Sequence, residues 1–102
     1  MATQSISKRF SYTDFEIQTL TMASSASFTA LGSLDYNYLV EKAGFYPVGI
    51  VGYRSQKAGI IPSSANIQNR TVGSCTLQFR WDNTTSSDQT ANLYAFILWM
   101  KI

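Results

Sequence analysis

Asp14 and Glu16 stand two positions apart, so on a strand they share one face. Paired carboxylates can divide general-acid and general-base work. Nothing else in the chain supports that role. There is no Gly-x-Ser-x-Gly turn and no cluster with metal-ligand spacing, so two acids on a solvated strand face are the preferred reading. Asp82, Asn83 and Asp88 flank a polar stretch and could together face a calcium ion. Their spacing does not match an EF-hand loop, and turn formation is the expected role. Cys75 is the single cysteine, and the sequence has no histidine. The commonest general base and metal ligand is therefore missing, and a thiol nucleophile has no imidazole partner. Cys75 alternates with Leu77 and Phe79 and is expected to be a small buried residue. No catalytic residue, metal or cofactor is assigned.

Binding chemistry has better candidates. Trp81 stands where an apolar alternation meets the polar stretch Asp82–Gln89 (DNTTSSDQ). Aromatic rings beside polar loops can hold a sugar ring, with Asp82 and Asn83 as hydrogen-bonding neighbours. The competing reading is that Trp81 continues the core face of Cys75, Leu77 and Phe79, whose parity it shares. The turn after Tyr53 carries Arg54, Gln56 and Lys57. It suits an acidic glycan or is simply solvated. The six tyrosines read as packing residues with a satisfied hydroxyl.

Composition narrows the classes. One hundred and two residues make one domain with a real core. Charged residues are 14% of the chain, against about 25% in ordinary domains, and Ser, Thr, Asn and Gln fill the surface instead. A net charge of +2 with scattered basic residues gives no phosphate-binding stripe, so nucleic acid is not expected as a partner. Residues 1–10 lack the apolar stretch of a signal peptide, and no run reaches the roughly twenty apolar residues of a membrane helix. Membrane insertion is not expected. Asn69-Arg70-Thr71 and Asn83-Thr84-Thr85 match the glycosylation pattern and, without a signal peptide, read as chance matches.

The elements that would position these residues are strands. Phe10 and Tyr12 alternate, Phe15 and Ile17 continue on the other parity, and Leu20 and Met22 switch again, which suggests bulges or breaks. Ala26, Phe28 and Ala30 form one face of a second strand ending near Gly32. Val48–Tyr53 is a third, bounded by Pro47, with Gly49 and Gly52 marking a bulge or close backbone approach. Gly59–Pro62 begins a fourth that Pro62 confines to an edge or bend, and Ile67 and Val72 fall in a less regular stretch. Ser74–Trp81 is a fifth, with Thr76, Gln78 and Arg80 on its second face. Its connection Asp82–Gln89 leads straight into the last strand, so the two are expected to pair as a hairpin. Tyr36–Lys42 could be a one- or two-turn helix capped by Asp35, or an extended connection. Short strands with polar turns and no βαβ alternation predict an all-β fold, an antiparallel β-sandwich of jelly-roll-like form.

Thr90–Ile102 (TANLYAFILWMKI) is apolar on both faces. One face carries Leu93, Ala95, Ile97 and Trp99; the other carries Tyr94, Phe96, Leu98, Met100 and Ile102. Each large apolar side chain contributes roughly 1.5–3 kcal/mol when buried. A small domain can cover one face with its own core, and either set could be the one it covers. The second face then predicts an oligomer interface, placed on Tyr94, Phe96, Leu98, Met100 and Ile102, or a cover supplied by the N-terminal arm.

The strand Gly44–Tyr53 (GFYPVGIVGY) resembles one that recurs in the small C-terminal head domains of bacteriophage tail-fibre and receptor-binding proteins. The order of Ile61-Pro62, the Thr76-Leu77-x-Phe79-Arg80 strand, an Asn/Thr/Ser loop and a closing apolar strand is similar too. The resemblance covers most of Leu20–Ile102 and leaves out the first eighteen or so residues. It implies a β-sandwich head over residues 19–102, usually a homotrimer, on a virion assembled in the bacterial cytoplasm. It implies other virion proteins as neighbours and a host-surface saccharide or protein as ligand. Residues 1–18 would be an arm or an extra strand. Capsid decoration or tail connection without a receptor role, and a stand-alone carbohydrate-binding module, are the alternatives.

Overall fold

Alternation of apolar with polar side chains runs through nearly every segment, and the backbone follows it. A computed structural model describes residues 14–102. Six strands succeed one another: β1 (Phe15–Phe28), β2 (Ser33–Glu41), β3 (Phe45–Ser55), β4 (Ile60–Thr71), β5 (Ser74–Asn83) and β6 (Gln89–Lys101). The described residues contain no α-helix. The strands form two antiparallel sheets of three, ordered β1-β6-β3 and β2-β5-β4. Among the described residues, the chain changes sheet at every connection except β4–β5, which is therefore the one local hairpin within a sheet there.

Several expectations are corrected. Tyr36–Lys42 is not helical: Tyr36, Tyr38 and Val40 point one way from β2 and pair with Phe79, Leu77 and Cys75. An apolar face at period two outweighs a helix too short to propagate. The two strands expected before Gly32 are one long strand, β1; its register runs unbroken through the parity switch from Ile17 to Leu20, which reflects apolar residues on both faces rather than a bulge, and its shifts fall between Thr21 and Ala23 and between Ala23 and Ala26. Ser25, at the second shift, has a φ of 54° and donates its N–H to Asn92 Oδ1 at 2.7 Å. β3 starts before Pro47 rather than after it; Ile67 lies within β4, and the irregularity expected around it falls just after, at the register shift between Gln68 and Thr71, where Asn69 has a φ of 52°. β5 and β6 do not pair as a hairpin. Their connection crosses from one sheet to the other.

Other expectations stand. Register shifts follow Pro47 and Ile50, at the two glycines of β3. Pro62 sits on an edge strand, next to a register shift between Pro62 and Ser64.

Both sheets contribute to a single hydrophobic core. β5 supplies Cys75, Leu77, Phe79 and Trp81; β6 supplies Ala91, Leu93, Ala95, Ile97 and Trp99; Leu20, Met22, Ala26, Phe28, Val40 and Ile60 complete it. The Leu93–Trp99 face of β6 is thus the inward one, and β6 is the central strand of its sheet. Trp99 donates its indole N–H to Gln18 Oε1 at 2.8 Å.

The connections gather at two ends. At one end, the β2–β3 and β4–β5 turns are joined by Lys42 N–H to Gly73 O (2.9 Å) and Gly73 N–H to Phe45 O (2.6 Å). Ile102 N–H donates to Gly44 O there at 3.0 Å. Gly44 and Gly73 both have positive φ, 83° and 89°, which side chains rarely tolerate. β1 starts at this end, and Lys42 Nζ meets Glu16 Oε2 at 2.7 Å. The other end holds the three longer connections.

Candidate functional site

The candidate ligand residues lie at the end with the three connections. Asn83 is their anchor. Its amide is buried, and its Nδ2 donates to Thr29 O (3.0 Å) and Ser87 O (2.9 Å). Its Oδ1 accepts from Thr85 N–H (3.0 Å) and Thr85 Oγ1 (2.7 Å). A buried amide that fills donor and acceptor roles this way is a structural tie, not a ligand contact. It is equally closed to a glycan, which removes the Asn83-Thr84-Thr85 match as a modification site.

Around that tie the loops interlock. Thr84 donates its N–H (2.8 Å) and Oγ1 (2.7 Å) to Gly59 O. Leu31 N–H donates to Thr85 O at 3.0 Å, and Ala30 N–H to Asp88 Oδ1 at 2.9 Å. The structure therefore brings the Asp82–Gln89 loop beside the turn after Tyr53, two regions that were separate candidates in the sequence. Asp88 caps the β1–β2 turn. Among the described residues, no group of three or more His, Cys, Asp or Glu side chains is placed to hold a metal.

Trp81 is 0% exposed, so the core alternative holds and a ligand cannot reach it. It stacks on Phe79 with ring centroids 5.5 Å apart, and Tyr53 meets it edge-on at 5.9 Å. Its indole N–H is buried with no partner among the described residues. Asp82 accepts from Ser33 Oγ at 2.6 Å. Gln56 is bound to Asn92: its backbone N–H donates to Asn92 O (3.0 Å), and its Oε1 accepts from Asn92 N–H (3.1 Å). The Arg54 guanidinium lies 4.9 Å from the Tyr94 ring centre. Lys57 belongs to a turn in which Ser55 Oγ donates to Lys57 O (2.9 Å) and accepts from Lys57 N–H (3.1 Å). Glu16 is ion-paired with Lys42.

The interface candidates sit elsewhere, on the outer face of β1-β6-β3. Tyr94, Phe96, Leu98 and Met100 all point outward and are half-buried, and Ile102 is exposed. Successive rungs across β1, β6 and β3 read Phe15, Met100, Tyr46; Ile17, Leu98, Gly49; Thr19, Phe96, Gly52; and Thr21, Tyr94, Arg54. Ile17 is 64% exposed and Val51, at a bulge of β3, 51%. The two glycines differ. A Cβ on Gly52 would lie 3.2 Å from Phe96 Cδ2, so that ring covers it; a Cβ on Gly49 would meet nothing within 4 Å. The face is apolar along its middle, with open space above Gly49.

The outer face of β2-β5-β4 is its chemical opposite. Asp35, Arg80 and Ser64 form one rung, and Asn37, Gln78 and Asn66 the next. These line a shallow recess of about 340 Å³, and Arg80 Nη1 approaches Asp35 Oδ1 at 3.6 Å. Sequence reasoning saw the β5 third of this surface in Thr76, Gln78 and Arg80. The remaining two thirds needed the knowledge that β2 and β4 flank β5.

No protein-family model matches the chain, and neither a curated protein nor a solved structure is similar to it.

Proposed function

We propose that this chain is a non-enzymatic assembly module, a β-sandwich that associates with copies of itself through the outer face of β1-β6-β3. The observation that carries the reading is β6, a central strand whose second face, Tyr94 to Met100, stays half open to solvent. An apolar stripe of that length, flanked by Ile17 and Val51, marks an interaction surface. The resemblance of Gly44–Tyr53 and the closing strand to tail-fibre heads supports the particular form: a homotrimeric head on a virion that presents loops to a host-surface saccharide or protein.

The test is oligomeric state and then attachment. Sedimentation should give a stable oligomer, expected as a trimer, at micromolar concentration; a monomer there refutes self-association. Labelled protein should bind host cells and leave non-host cells bare.

A second reading has its own support. Trp81 and Asn83 are buried, and Gln56 and Asp82 are held by protein partners, so the candidate ligand end reads as an internal lock. That favours a virion-decorating or tail-connecting protein without a receptor role. It predicts oligomers that do not bind cells.

A further inference from the structure

Resting on the host-recognition half of the proposed function, we propose that the outer face of β2-β5-β4 binds a neutral saccharide, held by the side-chain amides of Asn37, Gln78 and Asn66. The site lies on a sheet face rather than on the loops, which are locked to one another. Three observations meet here. The first is the recess of about 340 Å³ on that face, within the size range of small-ligand sites. Its two rungs, Asp35-Arg80-Ser64 and Asn37-Gln78-Asn66, set polar side chains about 4.8 Å apart across the strands and about 6.8 Å apart along them. The second is that these groups are open. Among the described residues, no side-chain hydrogen bond engages Asn37, Gln78 or Asn66. Each amide offers donors and an acceptor together, which is what a sugar hydroxyl needs. The Asn83 amide, by contrast, is consumed by the loops. Arg80 stands 3.6 Å from Asp35 and 3.9 Å from Asp82, beyond hydrogen-bond distance, so its donors are open too.

The third is charge. Asp35 and Arg80 oppose each other within the recess, and Asp82 stands on the next rung. An anionic ligand would meet two acids for one cation, and a nucleic acid would need several more cations. A protein partner would want an apolar or aromatic anchor at the centre, where this face has amides. A neutral polyhydroxylated ligand is the class that matches. Exposed aliphatic side chains flank the amides on the same face: Leu39 on the rung of Thr76, and Ile61 on the rung of Asp82. The C–H face of a sugar ring can rest on them while its hydroxyls meet the amides. The recess also points away from the surface proposed for self-association. Every copy in an oligomer therefore presents one, and weak single contacts multiply on a host surface.

The test is an array of neutral and acidic oligosaccharides probed with the full-length protein, followed by titration of the neutral ones that bind. Gln78→Ala should weaken binding about tenfold, the effect of losing one amide's hydrogen bonds, and Asn37→Ala with Asn66→Ala about 100-fold. Both should keep the wild-type circular dichroism spectrum and urea midpoint, because these amides tie nothing together. Gln78→Thr, a good strand former, stands in should Gln78→Ala fail to fold, and it should weaken binding likewise. Leu31→Asn, exposed in the β1–β2 turn with a φ of 58° that asparagine accepts, should bind as the wild type does. Neutral-glycan binding that survives the amide variants overturns the proposal, as does binding confined to acidic glycans or lost in Leu31→Asn. A wild type that binds host cells but no neutral glycan overturns it too, while leaving host recognition standing. A wild type that binds no cells fails the host-recognition reading first and separately.

Discussion

Cys75 shows how little chemistry a reactive residue type brings when its surroundings are apolar. Burial on the inward face of β5 pushes its thiol above the ordinary value of 9.0, and the charge of Arg70 only partly opposes that. Burial acts in the same direction on the Tyr36 hydroxyl. A raised acid favours the folded state while it stays protonated. The contribution is complete below the ordinary thiol range and is lost as pH rises through it, when the unfolded thiol ionises first. The urea midpoint of the wild type should therefore hold steady from neutral pH and fall above about pH 9, and Cys75→Ala should fall less. Equal declines would show that the thiol is not desolvated. In the native protein Cys75 should also resist a thiol reagent until the fold opens.

Between strands, the informative unit is the set of connections tied by Asn83. This one amide joins the β1–β2 turn to the β5–β6 loop, and Thr84 joins that loop to the β3–β4 connection at Gly59. Asn83→Ala would orphan Thr29 O and Thr85 N–H in a part-buried setting, leaving Ser87 O to Thr85 Oγ1, and each unmet group costs about 1–3 kcal/mol. A loss of at least about 2 kcal/mol is expected in chemical denaturation. Asn83→Asp should cost more, because it sets a carboxylate against two carbonyl oxygens. A loss below half a kilocalorie would mean that the loops hold without the tie. None of this was legible in DNTTSSDQ, which reads as a turn and hides an internal lock. The same limit explains the missing β5–β6 hairpin. Alternation tells which face of a strand is apolar, but not which sheet the strand joins. It did place the inward residues of β5, Trp81 included by parity, and both faces of β6. For β2, the alternation of Tyr36, Tyr38 and Val40 was present in the sequence but set against capping signals from Asp35 and Gly44.

For the whole molecule, the two sheets present opposite outer faces, one apolar around Leu98 and one polar around Gln78. On the proposed reading, association belongs to the apolar side, and the polar side is left to solvent or ligand. Its apolar half could be read from Tyr94 to Ile102 alone, since five large side chains on a second face need a cover. Its polar half could not, because Asp35, Asn37, Ser64 and Asn66 come from strands scattered through the chain and meet only across β5. Most strand pairs also join residues far apart in sequence, which predicts refolding in milliseconds to seconds rather than microseconds. A stopped-flow refolding phase faster than about 0.1 ms would contradict that.

The position of β6 also orders events in time. β1 and β3 touch the rest of their sheet only through it, and of the described strands it is synthesised last. Until it emerges, one sheet can close on its own hairpin while the other has two unpaired edges and no ladder. The nascent chain thus holds its two earliest partners apart, exposed to mispairing, and the final strand acts as a late-arriving wedge that converts two idle strands into a layer in a single step.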